Sequence, residues 1–472
     1  MNELVLISTL NIEDKIRNVI EEIKYAYQYD NRPWILGYSG GKDSTATLQL
    51  VWQALHEISE GEREKPVYVI SSDTLVETPI IKEYLIENHR KIKEEAKKQN
   101  LPITANVLTP IINETFWVNL IGRGYPAPQQ RFRWCTNRLK IKTSSRFIQE
   151  KISKIGEVLI VLGTRKKESD SRQAVMKKLE IHDSIFSRSN QFSAAYTYSP
   201  IRDWSTWDVW QYLMLTPGQW GNDNQVLAQM YKNAEGECPF VVDDKSPPCG
   251  NSRFGCWVCT LVEFDKSVQS LIESGETWLQ PLLDYRDLLA STQDPTVKEE
   301  IREYKLRRGV VLFKKNYEGE IIRGPYQFDF RKYLLERLLI TQRIVKEKGP
   351  DPNIELISKE ELDRIRQIWR TEEADWEDSV PLIYQKVFND IYWDADDNNP
   401  FNRYDREQLV KLADKFEVPG RLVTKLIDLE LQTQGMSIRH SIFKNMEKIF
   451  NEEWRSEEEL LEEYNRKKSV IG

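Results

Sequence analysis

The sequence predicts an α/β protein in which a doubly wound parallel sheet precedes a mostly helical C-terminal region. Short apolar segments, typical of buried strands, occur at Trp34–Tyr38, Val67–Ser71, Thr104–Leu108 and Val158–Leu162. Helical patterns separate these segments, most clearly at Thr78–Lys98 and Asn137–Ile152. Strands that alternate with helices in this way usually form a parallel sheet with helices on both faces.

The remaining segments suggest three domains in a chain of 472 residues. Apolar residues at helical spacing predict an amphipathic packing helix over Asn11–Asp30. Thr216–Pro248 is rich in Gly, Pro, Asn and Asp and is predicted to be irregular. The chain beyond residue 266 is acidic and mostly helical, interrupted by a hairpin of Val310–Phe313 with Glu320–Arg323. We therefore predict domains at 1–215, 216–264 (cysteine-rich) and 265–472 (helical).

Composition limits the class of protein. Hydrophobic residues make up 40% of the chain and include 14 Trp, which is enough to build a core. No run of 18 apolar residues occurs, so no membrane span is expected. The first residues carry acidic side chains and lack the pattern of a signal peptide. A cytoplasmic protein is therefore expected.

A glycine-containing loop follows the first predicted strand and consists of Ser39, Gly40, Gly41, Lys42, Asp43 and Ser44. Adjacent glycines allow a sharp turn and a close approach of the backbone to a ligand. Free N–H groups at the start of the next helix favour an anion such as a phosphate. The lysine and both serine hydroxyls add donors, and Asp43 is expected to hold Mg²⁺ against the phosphates. The loop thus predicts a nucleotide site in which Lys42 and Asp43 also take part in catalysis.

Two further loops are expected at the same edge, because the carboxyl ends of parallel strands lie together. Asp73 follows the second predicted strand. Gly163 and Arg165 follow the fourth, and Arg172 lies seven residues further on. Guanidinium groups bind phosphate through paired hydrogen bonds, so these residues are predicted to complete the nucleotide site.

Four of the five cysteines fall within 22 residues, at Cys238, Cys249, Cys256 and Cys259. Disulfides are unusual in the expected compartment, so the group predicts a metal site. Four thiolates suit zinc or a [4Fe–4S] cluster. Only the last pair has the short spacing of zinc ligands, and Phe254 and Trp257 are available to shield a cluster, which favours [4Fe–4S] over zinc. The four histidines, at 56, 89, 182 and 440, are scattered and expected to be ordinary.

The fifth cysteine, Cys135, lies in the segment RFRWCTNRLK among four cationic residues. Positive charge and a following helix N-terminus would lower its pKa and favour the thiolate. Such a thiolate can attack an electrophile or carry sulfur as a persulfide. A buried structural cysteine is the alternative.

Charge is unevenly distributed along the chain. Residues 121–180 contain fifteen Lys or Arg and five Asp or Glu, a local charge of +10, whereas the whole chain carries −7. A basic segment in an acidic chain indicates a phosphate-rich partner. DNA or RNA fits this better than a small nucleotide, and a solvated helix face is the alternative.

The motifs occur in the order seen in the phosphoadenylylsulfate reductase family, namely SGGKDS, SSDTLVET, RFRWCTNRLK, GTRKKESDSR and YSPIRDWSTWDVWQYL. Residues 30–215 therefore resemble this family, and SGGKDS resembles the pyrophosphate loop of the PP-loop ATP pyrophosphatases. The resemblance implies an adenine-nucleotide alpha-hydrolase fold, binding of ATP, and binding of an anionic substrate by Arg165 and Arg172. The cysteine-bearing tail of the true reductases is not present in this sequence.

The cysteine group, the isolated Cys135 and the long C-terminal region resemble the DndC family of sulfurtransferases. This resemblance implies a role in bacterial DNA phosphorothioation, in which sulfur replaces a non-bridging oxygen of a DNA phosphate. It also implies DNA, a cysteine desulfurase as sulfur donor, and other phosphorothioation proteins as partners.

Three other interpretations fit the sequence. One is a reductase or sulfate-activating enzyme that acts on a sulfonucleotide, and another is a PP-loop enzyme that thiolates tRNA. The third is a regulator that senses ATP and contacts DNA through Asp405–Phe416 and Arg421–Leu431 as a helix-turn-helix. These two segments also fit a plain helical hairpin.

Overall fold

The computed structural model describes residues 2–130, 132–168, 170–235, 256–314, 319–390, 401–433 and 442–471. The chain divides into two compact units. The first contains Met1–Ile111 and Trp134–Thr277, and the second contains Ile112–Arg133 and Trp278–Gly472. The predicted domain limits at 215 and 264 remain predictions.

The first unit is built on a six-stranded sheet of order β3-β2-β1-β4-β6-β5. Its strands are β1 (Trp34–Gly37), β2 (Val67–Ser72), β3 (Ile103–Leu108), β4 (Val158–Val161), β5 (Ser187–Arg188) and β6 (Ala195–Tyr198). All neighbouring pairs are parallel except β5 with β6. The predicted parallel α/β sheet is confirmed. Strands β2 and β3 follow β1 on one side and β4 lies on its other side, so the order of strand addition reverses between β1 and β4, which is where ligands bind in such folds.

Helices cover both faces of this sheet. They are α1 (Asn2–Gln28), α2 (Lys42–Glu57), α3 (Pro79–Lys98), α4 (Lys142–Ile155), α5 (Asp170–Leu179), α6 (Thr206–Leu215), α7 (Asn224–Glu235) and α8 (Lys266–Glu273). Trp34 and Leu36 of β1 pack on the face that carries α1, α2 and α6. The alternate residue, Ile35, packs on the other face with Ile148 of α4. Successive side chains of a buried strand point to opposite faces, so both faces of β1 are apolar.

Helix α7 corrects a prediction. Thr216–Pro248 was expected to be irregular because turn-forming residues dominate its composition. Instead, Asn224–Glu235 is helical, and Leu227, Ala228 and Tyr231 join the buried core. Their spacing places them on one helical face, so burial of that face outweighs local composition. Residues 236–255, including Cys238, Cys249 and Phe254, lie outside the described residues.

The second unit is mostly helical, as predicted for this part of the chain. Its helices are α9 (Gln280–Ser291), α10 (Pro295–Ile301), α11 (Phe328–Lys348), α12 (Lys359–Glu372), α13 (Ser379–Phe388), α14 (Arg403–Lys415), α15 (Gly420–Thr433), α16 (Ile442–Phe450) and α17 (Glu457–Ile471). The predicted hairpin is present as a bridge between Phe313 and Ile321. Trp369 of α12 donates its indole N–H to the carbonyl of Ile121, 3.1 Å away, which ties residues 112–133 into this unit.

No helix in the described part of the chain is both long and apolar enough to cross a bilayer.

Candidate active site at the carboxyl edge of the sheet

The loop between β1 and α2 is organised around the hydroxyl of Ser44. This hydroxyl accepts the N–H of Ser39 at 3.2 Å and donates to the carbonyl of Gly41 at 3.0 Å. The Ser39 hydroxyl lies 3.1 Å from it. Gly40 has a φ of +75°, a conformation that glycine adopts without steric cost. The two serines therefore shape the loop itself, which is a role beyond the ligand contacts predicted from sequence.

Lys42 is the first residue of α2 and is buried, with 7% of its surface exposed. Its ammonium lies 4.7 Å from the ring centroid of Tyr231 and 5.9 Å from that of Trp210. Aromatic faces attract cations, so these rings fix the position of the charge. Sequence reasoning missed Tyr231, because a single tyrosine in a segment predicted to be irregular gives no signal.

Asp43 and Arg165 form an ion pair that spans 122 residues of sequence. Nε of Arg165 lies 2.6 Å from Oδ1 of Asp43, and Nη1 lies 3.2 Å from Oγ1 of Thr206. Arg165 is only 3% exposed. The predicted magnesium ligand and the predicted phosphate ligand are thus brought together at the edge between β1 and β4. A bound metal or phosphate would have to share these groups.

Gly163 allows the loop after β4 to lie directly against the start of α2. A Cβ atom at this position would be 2.7 Å from the carbonyl oxygen of Asp43 and 2.9 Å from Oγ1 of Thr47. Real Cβ atoms essentially never come this close to other heavy atoms, so the backbone contact requires glycine. Gly163 was predicted to bind a cofactor, and the structure gives it a steric role in bringing the two loops together.

Asp73 shapes the loop after β2. Its carboxylate accepts the N–H of Leu75 at 2.8 Å, and its own N–H donates to the carbonyl of Leu108 at 2.9 Å. Leu75 has a φ of +65°, which is unusual for a residue with a side chain. Asp73 is 5% exposed, so its described contacts stabilise this turn. The side chain of Arg172 lies outside the described residues, and its predicted role remains a prediction.

A buried serine–histidine pair supports the end of β1. Oγ of Ser71 is hydrogen-bonded to the carbonyl of Tyr38, and Nε2 of His89 lies 2.6 Å from the same Oγ. A carbonyl only accepts, so Ser71 must donate to Tyr38 and His89 must donate from Nε2. Burial, with a smaller contribution from Lys93, lowers the pKa of His89 to about 4. His89 is therefore a neutral donor that holds the residue directly before the loop.

The Cys256–Cys259 segment packs against the loop after β2. Cys256 forms a bridge with Glu77, and the N–H of Trp257 donates to the carbonyl of Val76 at 3.0 Å. Oγ1 of Thr74 lies 3.2 Å from Sγ of Cys256. These contacts hold the thiol of Cys256 beside the loop that carries Asp73. Trp257 is 2% exposed, as expected for a residue that shields this region.

Cys135 belongs to the same group of thiols, although 121 residues separate it from Cys256. Burial raises the pKa of Cys135, Thr136 lowers it by hydrogen bonding, and the charge of Cys259 raises it. The lowered pKa predicted from sequence is therefore wrong. The position near a helix N-terminus is confirmed, since helical conformation begins at Trp134 and Cys135 and continues through Thr136–Ile141. The cationic neighbours fail to lower the pKa because burial outweighs them.

The ammonium of Lys140 interacts mainly with the thiols and the carboxylate around it. The charge of Cys256 is the largest influence raising the pKa of Lys140, followed in the same direction by Glu77 and then Cys135. Its ammonium lies 3.9 Å from Oε1 of Glu77. Burial raises the pKa of Cys256 strongly, with a further increase from Glu77. A thiolate at Cys256 thus requires a compensating positive charge, which a metal ion supplies when it binds sulfur.

Within the described residues no group of three or more His, Cys, Asp or Glu is arranged as metal ligands. Two of the four predicted ligands, Cys256 and Cys259, are described, and the backbone N–H of Cys259 donates to the carbonyl of Cys256 at 3.1 Å. Oε2 of Glu77 is buried beside them without a hydrogen-bond partner among the described residues. Buried thiols are the type of ligand that suits zinc or an iron–sulfur cluster.

Comparison with known families tests the fold and the loop together. Residues 33–261 match the model of the family described as the phosphoadenosine phosphosulfate reductase domain. This part of the chain is therefore similar to phosphoadenosine phosphosulfate reductase domains. The match includes the Ser39–Ser44 loop, Cys135 and the Cys256–Cys259 segment. It confirms the broader family resemblance, while the narrower resemblance to DndC sulfurtransferases remains a hypothesis.

Among individual proteins, an uncharacterized protein of Methanocaldococcus jannaschii is 26% identical over 279 residues. The alignment covers 58% of this chain and 47% of that relative, so the chain spans about half of the relative's length. Two structures of Candida glabrata FMN adenylyltransferase, one with FMN and an ATP analogue and one with FAD and pyrophosphate, are 14% identical to the chain. Their TM-scores are 0.27 and 0.29, over 43% and 51% of this chain and 58% and 72% of theirs.

Proposed function

We propose that the part of the chain that carries the Ser39–Ser44 loop binds ATP with Mg²⁺, splits it between the α and β phosphates, and transfers AMP to an oxygen of a second substrate. The observation that carries this proposal is the position of the Ser39–Ser44 loop. It joins β1 to α2 beside the reversal point of the sheet, with the buried ammonium of Lys42 at the start of the helix. An anion at this place would meet the helix N-terminus and a fixed positive charge.

The reaction follows from these groups. The substrate oxygen forms a bond to the α-phosphorus as the bond to the β-phosphate oxygen breaks, and pyrophosphate leaves with the electron pair. Lys42 and the first-turn amides of α2 stabilise the charge that develops on pyrophosphate. Mg²⁺, when bound near Asp43, supplies further charge neutralisation. Arg165, as the partner of Asp43, holds that carboxylate in position.

We propose further that the second substrate is a DNA phosphate and that the chain is a sulfurtransferase of DNA phosphorothioation. Adenylation turns a non-bridging oxygen into part of a leaving group. A persulfide on Cys135, formed from a cysteine desulfurase, then bonds to phosphorus as AMP leaves. A thiol reductant attacks the Cys135 sulfur and breaks the S–S bond, which leaves the outer sulfur on the phosphate. Other phosphorothioation proteins would act with the chain in a complex.

The position of Cys256 beside a loop at the carboxyl edge of the sheet supports this proposal. Thr74 contacts Cys256, and Asp73 next to it belongs to a loop at the carboxyl edge of the sheet. A sulfur carrier at Cys135 therefore belongs to the same unit as the nucleotide loop. The decisive experiment is nuclease digestion of DNA from expressing cells. Sulfur-containing dinucleotides are expected, and their absence with all partner proteins present would contradict the DNA proposal.

The match to the reductase domain favours a second candidate, reduction of a sulfonucleotide. Release of sulfite from phosphoadenylylsulfate with a thiol reductant and without nucleic acid would identify that activity. A third candidate, thiolation of tRNA, predicts sulfur in tRNA nucleosides. The same protein preparation can be assayed for all three products.

We expect protein purified without oxygen to be brown and to contain about four irons per chain, as in a four-thiolate cluster held by Cys238, Cys249, Cys256 and Cys259. The cluster would relay sulfur or electrons or brace its loop. Cys256→Ser should remove iron and colour, whereas Cys135→Ser should keep both and lose sulfur transfer. Metal analysis and absorbance spectra measure these outcomes.

Each other result of this metal experiment has a definite meaning. Loss of iron from Cys135→Ser would make Cys135 a ligand of the cluster. This outcome is worth testing because Cys135 interacts with Cys259, which is one of the four predicted ligands. Colourless protein with one zinc per chain would mean that the cysteines bind zinc rather than an iron–sulfur cluster. Full sulfur transfer by Cys135→Ser would remove that residue from the mechanism.

We expect DNA to bind the basic segment, and α4 offers described residues for the test. Lys142 is exposed at the start of this helix and Arg146 is half-buried one turn later. Lys142→Glu with Arg146→Glu should weaken DNA binding at least about tenfold and flatten its salt dependence, because fewer counterions are released. Fluorescence anisotropy across a salt series measures both quantities.

The matched control reverses two exposed charges in the last turn of α3, Lys97→Glu and Lys98→Glu. Net charge changes equally in both variants. Equal loss of affinity in both would mean that overall charge, rather than α4, determines DNA binding. Arg131 and Arg133 belong to the same predicted basic segment, and Arg131 lies outside the described residues.

A further inference from the structure

The hydroxyl of Tyr231 lies at the position in the Ser39–Ser44 loop where an anion is expected. The backbone N–H of Lys42 donates to this hydroxyl at 3.2 Å. Lys42 is the first residue of α2, so its N–H is one of the amides that the helix leaves without an internal partner. Tyr231 therefore satisfies an amide that a bound phosphate would otherwise use.

The shape of the loop gives a second, independent observation. A Cβ atom on Gly41 would lie 2.9 Å from the hydroxyl oxygen of Tyr231. The space that glycine leaves open in a phosphate-binding loop normally admits a ligand oxygen. Here the phenolic oxygen occupies that space and contacts the same stretch of backbone.

The rest of the Tyr231 side chain is held by packing. Its ring lies edge-on to Trp210 at 5.2 Å and beneath the ammonium of Lys42 at 4.7 Å. The residue is 9% exposed and belongs to the face of α7 that joins the core. The ring of Tyr231 thus packs in the core like its neighbours, and its hydroxyl faces the loop.

We propose that the Tyr231 hydroxyl competes with a nucleotide phosphate for the Lys42 amide and must be displaced when ATP or pyrophosphate binds. This inference rests on the proposed nucleotide site and deepens it. A phosphate oxygen carries negative charge and forms the stronger hydrogen bond to an N–H group. The tyrosine therefore lowers the affinity for the phosphate chain and favours release of pyrophosphate after the reaction.

Tyr231→Phe tests the proposal, because it removes the hydroxyl and keeps the ring over Lys42. We expect pyrophosphate and a non-hydrolysable ATP analogue to bind about threefold to tenfold more tightly, which corresponds to one net hydrogen bond. Isothermal titration calorimetry measures both affinities. Tyr212→Phe is the control, since Tyr212 is buried in the same core and its hydroxyl lies 3.2 Å from Gln53.

Weaker binding by Tyr231→Phe would overturn the proposal, because it would make the hydroxyl a donor to the ligand. Affinity equal to that of Tyr212→Phe and of the unmodified protein would also overturn it. If the unmodified protein binds neither pyrophosphate nor the analogue, the proposed function fails as well, which is a separate result. Should Tyr231→Phe fail to fold, the proposal can be tested on the unmodified protein by measuring amide hydrogen exchange with and without pyrophosphate. Faster exchange in α7 with pyrophosphate supports displacement, and unchanged or slower exchange contradicts it.

Discussion

Replacing Lys42 with alanine should reduce conversion of ATP to AMP and pyrophosphate by at least about 100-fold, the effect of removing one fixed charge that stabilises a transition state. The ammonium is buried at the start of α2 and is held by the rings of Tyr231 and Trp210. Water cannot replace a charge that is oriented in this way. Separation of labelled AMP, ADP and pyrophosphate measures the rate and identifies the products.

Lys97→Ala is the matched control for this experiment, since Lys97 is exposed in the last turn of α3. It should keep full activity. Release of ADP and phosphate by the unmodified protein would show that the loop binds nucleotide for a different reaction. Equal activity in Lys42→Ala would exclude the ammonium from catalysis.

The neighbouring residue, Asp43, needs a more conservative substitution than alanine. Alanine would leave the buried guanidinium of Arg165 without its partner, and such a change typically costs about 3–5 kcal/mol. Asp43→Asn keeps an oxygen to accept the hydrogen bond while it removes the charge that Mg²⁺ requires. Activity lost by this variant can then be assigned to the metal site rather than to unfolding.

The free energy of unfolding should fall by about 3 kcal/mol between pH 7 and pH 4 through His89 alone. The folded-state pKa of His89 is lowered to about 4, whereas the unfolded chain takes up a proton near pH 6.5. The unfolded state therefore binds more protons, and stability is present above pH 6.5 and is lost as pH falls toward 4. Urea denaturation followed at successive pH values measures this slope.

The comparison that isolates His89 uses two glutamine variants. His89→Gln should flatten the pH dependence by that amount, while His182→Gln, at an exposed side chain, should keep the slope of the unmodified protein. Carboxylates titrate in all three proteins, so their contribution cancels. Parallel slopes for His89→Gln and the unmodified protein would contradict the assignment of a buried neutral histidine.

Strands β1 to β4 were predictable because burial on both faces of a parallel sheet requires continuous apolar segments, whereas β5 and β6 were not predicted. All four predicted strands are present, and β1 ends one residue before its predicted limit, at Gly37. The loop at Ser39–Ser44 was equally visible, since residue types at fixed positions define it. Burial of α7 was not visible, because its apolar residues are few and occur among turn-forming neighbours.

Contacts between distant residues were the part that sequence could not supply. The pair of Asp43 with Arg165 and the pair of Ser71 with His89 depend on how the strands are ordered in the sheet. The raised pKa of Cys135 depends on burial, whereas the sequence shows only its charged neighbours. Position in the fold, rather than local composition, decides the chemistry of each of these groups.

Gly163 marks a position beside the candidate site where this protein tolerates little change. The carbonyl oxygen of Asp43, which any side chain at 163 would strike, also accepts the hydroxyl of Thr47 at 2.8 Å. A shift of that carbonyl would move the first turn of α2, and a displacement of about 1 Å at a reacting centre can cost about 100-fold in rate. In the proposed reaction, catalytic accuracy therefore depends partly on a residue that contributes no functional group, and surveys limited to reactive side chains would overlook it.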